Sequence, residues 1–387
     1  MKKNVALWLS MLGLVLLCAC TTKENNEKPI MTPTPTPEIT STPVPTNTQR
    51  PLPTPTEEQL AEQKAKAYLE GLPTMDWMEF DFYVDEEVSR RCSNLLNEGG
   101  LTYDEEGNIY FINEDDHLAG KNSGIYVSDY NGDNMRLFCE DAGNWLQIEG
   151  EWLYYNSNEC GIDRVNILSG EREHLYESEC GEFFCNGEHL VINSPEGVVI
   201  TDIEGNYISH LFPKDEIGVS NLTTGKGFWL SNGYLSFLVD KDFSLYKKGY
   251  LIKYDGENVV LLNQRGTDPL MVGNYLSVQD PKSYLRYVWN IETGEEFTME
   301  VPYTGSVVVS DGKEFYSKKV TYKDVRIYRW EEAELEELIR LDGATAVDYM
   351  YLTPKALYYV AQMKENGKFG YHLMYYDLET GETGVIY

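Results

Sequence analysis

The stretch Glu149-Gly-Glu-Trp-Leu-Tyr-Tyr-Asn-Ser-Asn-Glu-Cys-Gly-Ile-Asp-Arg-Val-Asn-Ile-Leu-Ser-Gly-Glu-Arg-Glu-His-Leu-Tyr176 decides the fold, because degenerate copies of it recur along most of the chain. Its short runs of aromatic and β-branched residues are separated by glycine and asparagine, which is typical of strands joined by tight turns. We interpret the stretch as three consecutive strands of one repeated sheet.

The repeat is most visible where an aromatic or aliphatic strand follows a turn residue. Seven such turn positions can be aligned: Gly107, Gly150, Gly187, Gly233, Gly273, Gly312 and Lys355. Their mean spacing of about 41 residues is that of four-stranded propeller blades. The sequence therefore predicts an all-β protein, a β-propeller of seven four-stranded blades over residues 99–387.

Several side chains that resemble ligand groups are explained by this repeat. Hairpins such as Asn166 to Gly170 and Asp377 to Gly381 begin with a side chain that bonds the nearby backbone, and end with a glycine that accepts positive φ. We interpret them as turns and not as calcium sites. Tryptophans on predicted strands are expected to pack between blades instead of forming a ligand platform: Trp145, Trp152, Trp229, Trp289 and Trp330.

Three segments near the start of the repeats carry a resemblance to a known family: Asn94-Leu-Leu-Asn-Glu-Gly-Gly-Leu101, Gly107-Asn-Ile-Tyr-Phe111 and Gly150-Glu-Trp-Leu-Tyr-Tyr155. The chain resembles bacterial lipoproteins with a domain of unknown function that is similar to the β-propeller of the low-density lipoprotein receptor-related proteins. This resemblance implies the propeller fold. It brings no established activity and no catalytic residues.

The N-terminus has the order of features found in an export signal. Lys2 and Lys3 precede the apolar run from Val5 to Leu17, which is shorter than the roughly 20 residues of a membrane-spanning helix. The next residues resemble a bacterial lipobox, in which Ala19 supplies the small residue before Cys20. We predict a signal peptide over residues 1–19, lipidation of Cys20, and attachment through the lipid to the outer face of the bacterial cell membrane.

A spacer and a short helix are expected between the lipid and the propeller. Residues 20–56 alternate threonine with proline, and nine of the sixteen prolines lie between Lys28 and Thr56. Such a segment forms a disordered, extended linker, because proline removes backbone donors. Residues 57–98 are predicted to be a helix, introduced by the capping pattern Thr56-Glu-Glu-Gln59, and a lead-in segment. Within the lead-in, residues 77–84 are expected to add a strand.

Charge and motifs exclude several functions. The chain has 63 acidic and 32 basic residues, a net charge of −31, so it repels nucleic acid, and we expect no nucleic-acid partner. The sequence contains no nucleophile elbow, no zinc-protease motif and no phosphate-binding loop. Five cysteines follow the lipid site without metal-binding spacing, and we predict no metal site and no cofactor.

Function is expected on the loops at one end of the propeller. The loops between second and third strands and between blades lie at one end, here called the loop face. The other two turns of each blade lie at the opposite end, the tight-turn face. Four segments are predicted to be irregular loops of the loop face: 114–123, 213–225, 240–248 and 363–369. Candidate contacts to a protein or glycan are Asp115, Asp116, His117, Lys241, Tyr246 and Lys247.

Two functions remain open at this point. The first is a surface-tethered, non-catalytic binding or sensing propeller, which long loops on a rigid scaffold favour. The second is a propeller glycosidase or lyase that acts on an extracellular polymer, with carboxylates brought together from different blades around the central channel.

Overall fold

The computed structural model describes residues 86–387 except 114–123, 141–142, 158–160, 179, 181, 195–196, 212–228, 232–233, 240–247, 255–258, 264–266, 273–274, 280–285, 291–292, 300–307, 322–323, 332–333 and 366. Before residue 86 it describes Thr56, Leu60, Gln63, Ala67, Gly71 and residues 73–76. Cys20 and the predicted linker up to residue 55 lie outside the described residues.

The described residues form seven sheets, here called blades 1 to 7 in chain order, and each contains four consecutive antiparallel strands. Blade 1 contains β2 (Leu101–Tyr103), β3 (Ile109–Ile112), β4 (Ile125–Ser128) and β5 (Arg136–Cys139). Blade 2 contains β6 (Gly143–Glu149), β7 (Trp152–Ser157), β8 (Ile162–Asn166) and β9 (Arg172–Tyr176). Blade 3 contains β10 (Phe183–Cys185), β11 (His189–Ser194), β12 (Gly197–Asp202) and β13 (Tyr207–Leu211).

Blades 4 to 7 repeat the same order of strands. Blade 4 contains β14 (Trp229–Ser231), β15 (Tyr234–Val239), β16 (Lys248–Tyr254) and β17 (Val259–Asn263). Blade 5 contains β18 (Thr267–Val272), β19 (Tyr275–Gln279), β20 (Arg286–Asn290) and β21 (Glu296–Met299). Blade 6 contains β22 (Val308–Ser310), β23 (Phe315–Thr321), β24 (Asp324–Glu331) and β25 (Glu334–Arg340). Blade 7 contains β26 (Ala344–Leu352), β27 (Ala356–Glu365), β28 (Lys368–Asp377) and β29 (Thr383–Val385).

The strands of the opening stretch lie where the sequence places them. β7, β8 and β9 are the second, third and fourth strands of blade 2. The turns of this blade use glycine as predicted, since Gly150 and Gly170 have φ of +56° and +74°. Such values favour glycine because it lacks a Cβ.

Adjacent aromatic residues pack on opposite sides of each blade. Tyr154 packs with residues of blade 3, while Tyr155 packs with residues of blade 1. In blade 7, Tyr358 faces blade 1 and Tyr359 faces blade 6. Because successive side chains of a strand alternate between its faces, the repeated aromatic pair joins each blade to both neighbours.

The first and last blades pack against each other without exchanging a strand. Phe111 of blade 1 shares one apolar cluster with Tyr358 and Leu373 of blade 7. The Tyr358 hydroxyl donates a hydrogen bond to the Tyr130 carbonyl over 2.7 Å. Side-chain packing therefore joins the two ends of the repeat region.

The predicted packing of tryptophans between blades is confirmed for Trp145 and Trp152, which pack against the apolar cluster between blades 2 and 3. Trp289 and Trp330 are buried. The side chain of Trp229 is outside the described set.

One segment predicted as an irregular loop is a regular hairpin. Residues 363–365 belong to β27 and residues 368–369 to β28, with Met363 opposite Gly370 and Glu365 opposite Lys368. The Asn366-Gly367 pair is the strongest sequence signal for a two-residue hairpin turn, and this signal outweighs the polar composition of the segment. The prediction of a loop here was wrong. The segments 114–123, 213–225 and 240–247 lie outside the described residues.

The segment before blade 1 differs from the expected lead-in. Leu60, Gln63, Ala67 and Gly71 are helical, which agrees with the predicted helix. The extra strand is β1 (Thr74–Asp76), which pairs in parallel with β17 at the outer edge of blade 4. The predicted strand over residues 77–84 lies outside the described residues.

A second helix was not predicted. Helix α1 (Glu86–Leu96) directly precedes blade 1. None of the helices formed by the described residues has both the length and the apolar character that a membrane crossing requires.

Candidate functional site

None of the six predicted contact residues can be placed. They are Asp115, Asp116, His117, Lys241, Tyr246 and Lys247, and all lie outside the described residues. The site described below is at the opposite end of the propeller, the tight-turn face, where helix α1 meets the first turns of several blades.

Helix α1 lies on the propeller axis. It contacts the first, innermost strands of six blades: β2, β6, β14, β18, β22 and β26. The side chains of Cys92, Ser93, Asn94 and Leu95 are buried. The central channel is therefore filled at this level by a helix that carries both polar and apolar side chains.

Two side chains of α1 form hydrogen bonds with the backbone of innermost strands, on the edges that face the channel. The Ser93 hydroxyl donates to the Ser310 carbonyl over 3.1 Å and accepts from the Ser310 N–H over 3.2 Å. The Asn94 amide donates to the Leu352 carbonyl over 3.0 Å and accepts from the Leu352 N–H over 2.6 Å. Because buried backbone groups are costly without partners, these contacts stabilise the helix in the channel.

A network of charged residues lies at the N-terminal end of α1. Arg91 donates to Glu87 over 3.0 Å and to Glu149 of blade 2 over 2.7 Å. The Tyr103 phenol of blade 1 donates to Glu87 over 2.7 Å and accepts from Arg90 over 3.3 Å. Each formal charge in this network therefore has an opposite charge beside it.

Burial and pairing shift the pKa values in this network. Burial disfavours the charge of the Arg91 guanidinium, but its bonds to Glu149 and Glu87 raise its pKa above the ordinary value. Burial, together with the Glu87 carboxylate, raises the pKa of the Tyr103 phenol well above its ordinary value. Arg91 therefore stays protonated and the Tyr103 phenol stays neutral across the physiological pH range.

A cavity of about 300 Å³ lies directly beside this network. Helix α1 contributes Glu87 and Arg91 to its wall. Residues 103–107 line it from blade 1, Ile148 and Gly150 from blade 2, and residues 353–355 from blade 7. This volume is at the lower end of the range for small-molecule sites in proteins.

The rim of the cavity carries charged side chains that form no ion pair with any described residue. Glu105, Glu106 and Lys355 are exposed, and within the part of the chain that the structure describes none of them forms an ion pair. The Lys355 ammonium lies 4.9 Å from the centre of the Tyr130 ring. A Cβ added to Gly107 would lie 3.6 Å from Lys355 Nζ, so this ammonium reaches across from blade 7 to the turn that carries Glu105 and Glu106.

Sequence reasoning did not identify this site, although signals for it were present. Glu86 and Glu87 precede Arg90 and Arg91 at helical spacing, and Gly99 follows as a stop signal, which together indicate a short helix. Lys355 was the one turn residue that departs from the glycine of the repeat. Elsewhere, in the described ranges, no group of three or more His, Cys, Asp or Glu side chains is placed to hold a metal ion.

Comparisons with known proteins support the fold. The chain matches no protein-family model and no curated protein. It is similar to the β-propeller domain of the Trilobed protease from Pyrococcus furiosus, with a TM-score of 0.53, 13% identity, and coverage of 74% of this chain and 97% of that one.

A second similar structure is the acylaminoacyl peptidase from Pyrococcus horikoshii. The TM-score is 0.54 and the identity 12%, with coverage of 79% of this chain and 54% of that one, so this chain spans about half of the peptidase. Similarity at this level of identity concerns the fold alone. The seven sheets and these neighbours confirm the predicted β-propeller class.

Proposed function

We propose that the chain is an exported, lipid-tethered β-propeller that binds or senses a ligand and catalyses no reaction on it. The observation that carries this proposal is the contrast between helix α1 and the cavity beside it. The helix fills the axis with side chains whose charges and hydrogen bonds are matched within the protein. The cavity rim presents charges that the described residues leave unmatched.

This contrast favours binding over catalysis for a physical reason. A catalytic acid or base needs a pKa near the working pH, whereas pairing and burial raise the pKa values of Arg91 and Tyr103 at the channel entrance, away from neutral pH. Charges on a concave surface without internal partners instead attract and orient a ligand of complementary charge.

The location and the tether belong to the proposal and rest on the sequence. They comprise the signal peptide over residues 1–19, the lipid on Cys20, the linker over 20–56, the lead-in over 57–98 and the propeller over 99–387. The resemblance to bacterial lipoproteins with a receptor-related type of propeller supports the same location. The high acidic charge supports the absence of a nucleic-acid partner.

A protein or glycan partner on the loop face is the second part of the proposal. It rests on the loop residues Asp115, Asp116, His117, Lys241, Tyr246 and Lys247. Long loops on a rigid scaffold are where partners commonly bind.

One experiment separates binding from catalysis. The purified full-length chain in detergent is screened against small molecules and oligosaccharides by thermal shift, and each mixture is analysed by mass spectrometry after a long incubation. We expect saturable stabilisation by at least one compound and unchanged compounds throughout. Enzyme-dependent cleavage of an oligosaccharide would contradict the proposal and support the glycosidase or lyase.

A further inference from the structure

We infer that the cavity at the tight-turn face binds a small zwitterion, with a carboxylate placed at Lys355 and a cationic group placed at Glu105 and Glu106. This inference rests on the proposed binding function and names the chemical class of the ligand.

The first step concerns the one repeat that departs from the others. In the first turns of blades 1, 2, 3 and 6, a glycine of positive φ stands at the aligned position: Gly107, Gly150, Gly187 and Gly312. Blade 7 has Thr353-Pro354-Lys355 instead, and the Thr353 hydroxyl accepts from the backbone N–H groups of Lys355 and Ala356 over 3.3 and 3.1 Å. The turn is thus stabilised without glycine, and its lysine side chain is placed at the cavity. Departures from a local structural rule are expected at functional sites.

The second step concerns how the ammonium is held. Lys355 Nζ lies over the face of Tyr130 at 4.9 Å, and the Tyr130 carbonyl is bonded by the buried Tyr358 hydroxyl. A cation over an aromatic ring is oriented without being neutralised, because the ring carries no net charge. The charge of the ammonium also helps to lower the pKa of the Asp377 carboxyl, but no ion pair joins the two side chains, so the ammonium remains available to the carboxylate of a ligand.

The third step concerns Arg91, the other cation in the cavity wall, which is not expected to attract an anion strongly. Arg91 is bonded to both Glu87 and Glu149, so its charge is balanced within the protein. An anion in the cavity would therefore meet one cation without an ion pair, Lys355. It would also meet three carboxylates that form no ion pair among the described residues, namely Asp104, Glu105 and Glu106. A purely anionic ligand is repelled by those carboxylates, and a purely cationic ligand leaves Lys355 without a partner. A ligand with both charges pairs with the lysine and with the carboxylates.

The size of the cavity limits the ligand. A volume of 300 Å³ holds the equivalent of about ten water molecules at ~30 Å³ each. This is enough for a free amino acid or a dipeptide and too small for an oligosaccharide chain.

The test uses three related probes that differ in their terminal charges. L-alanyl-L-alanine carries both charges, N-acetyl-alanyl-alanine carries the carboxylate alone, and alanyl-alanine amide carries the ammonium alone. We expect calorimetric titration of the full-length chain to show that dialanine binds at least about tenfold more tightly than either capped form, since each lost contact is a charge-assisted hydrogen bond.

Variants identify the site. Lys355→Met should weaken dialanine binding by about tenfold. The matched control is Lys368→Met, an exposed lysine of the same blade on the distant hairpin. Glu105→Gln combined with Glu106→Gln should weaken binding similarly, while Glu188→Gln, in the corresponding turn of blade 3, should not. Circular dichroism and thermal melts of each variant check that folding is retained.

The outcomes are distinct. The inference is overturned if a capped peptide binds as tightly as dialanine, if Lys355→Met leaves dialanine binding unchanged, or if no probe binds. If the library screen then finds another ligand that is bound but not consumed, the proposed binding function stands and only the ligand class is wrong.

Discussion

At the scale of single residues, Tyr358 and Tyr359 show that burial and hydrogen bonding contribute separately to the stability of the protein. They are neighbours on β27, and both side chains are 0% exposed. The Tyr358 hydroxyl bonds the Tyr130 carbonyl, whereas the buried Tyr359 hydroxyl has no hydrogen-bond partner among the described residues. Burial alone raises the pKa of the Tyr359 phenol, which is consistent with a hydroxyl that pays a desolvation penalty without a compensating bond.

We predict that removal of each hydroxyl has a different effect on the free energy of unfolding. Tyr358→Phe should lower the free energy of unfolding by about 1 kcal/mol, because a buried hydrogen bond is lost. Tyr359→Phe should leave it unchanged or raise it by up to about 1 kcal/mol, because an unsatisfied polar group is removed. Urea denaturation followed by tryptophan fluorescence measures both, and each variant serves as the control for the other. A larger loss for Tyr359→Phe would show that its hydroxyl has a partner.

At the scale of elements, the end of α1 is fitted closely to blade 2. Glu98 and Gly99 follow the helix with φ of +66° and +56°, and the Gly99 N–H bonds the Asn94 carbonyl over 3.1 Å. The same two residues accept backbone bonds from Trp145 and Leu146 of β6 over 3.2 and 2.8 Å. Trp145 itself has φ of +62°, at an irregularity in the pairing of β6 with β7. The helix end and the innermost strand of blade 2 therefore determine each other's backbone conformation.

Gly99 should tolerate no side chain for two separable reasons. A Cβ there would lie 2.6 Å from Trp145 Cα, and its φ is already unfavourable for other residues. Gly150 has the same φ of +56° but open space around it, so it isolates the backbone effect. We expect Gly150→Ala to destabilise the chain by about 1–2 kcal/mol.

Gly99→Ala should destabilise it by a further ~1–3 kcal/mol, because backbone at the contact cannot yield as a side chain could. Chemical denaturation of the two variants under identical conditions gives the difference. Equal losses for the two variants would mean that the approach of the helix end to β6 is not tight.

At the scale of the whole molecule, the chain combines a propeller with an N-terminal segment that is expected to connect it to a membrane. Within the described part of that segment, β1 pairs with the outer edge of blade 4 and α1 occupies the axis. If the proposed lipid is attached to Cys20, a fully extended linker would reach about 110 Å at ~3.1 Å per residue.

The lipid is tested by labelling cells with a palmitate analogue. We expect Cys20→Ala to abolish incorporation of the label, while Cys18→Ala retains it, because Leu17 is too bulky for the residue before a lipidated cysteine. Label that persists in Cys20→Ala would refute the anchor at this position.

The repeated sheets were predictable because their signals are local. The alternation of Trp152 to Tyr155 and the glycine turns at Gly150 and Gly170 depend on φ, ψ and strand periodicity within a few residues. The wrong prediction of a loop over residues 363–369 also concerns a local signal. The Asn366-Gly367 pair indicates a hairpin turn, but the polar composition of the segment favoured a loop.

By itself, the sequence determined the β-propeller class, the position of the strands and the acidic character of the chain, since each follows from short-range patterns or composition. Only the tertiary structure decided that α1 fills the axis and that Lys355 stands beside the turn of Glu105 and Glu106. Ser93 meets a partner 217 positions away and Asn94 one 258 positions away. The physical reason is that packing of the last blade against the first brings together residues from the two ends of the repeat region, and no local periodicity records which of them meet.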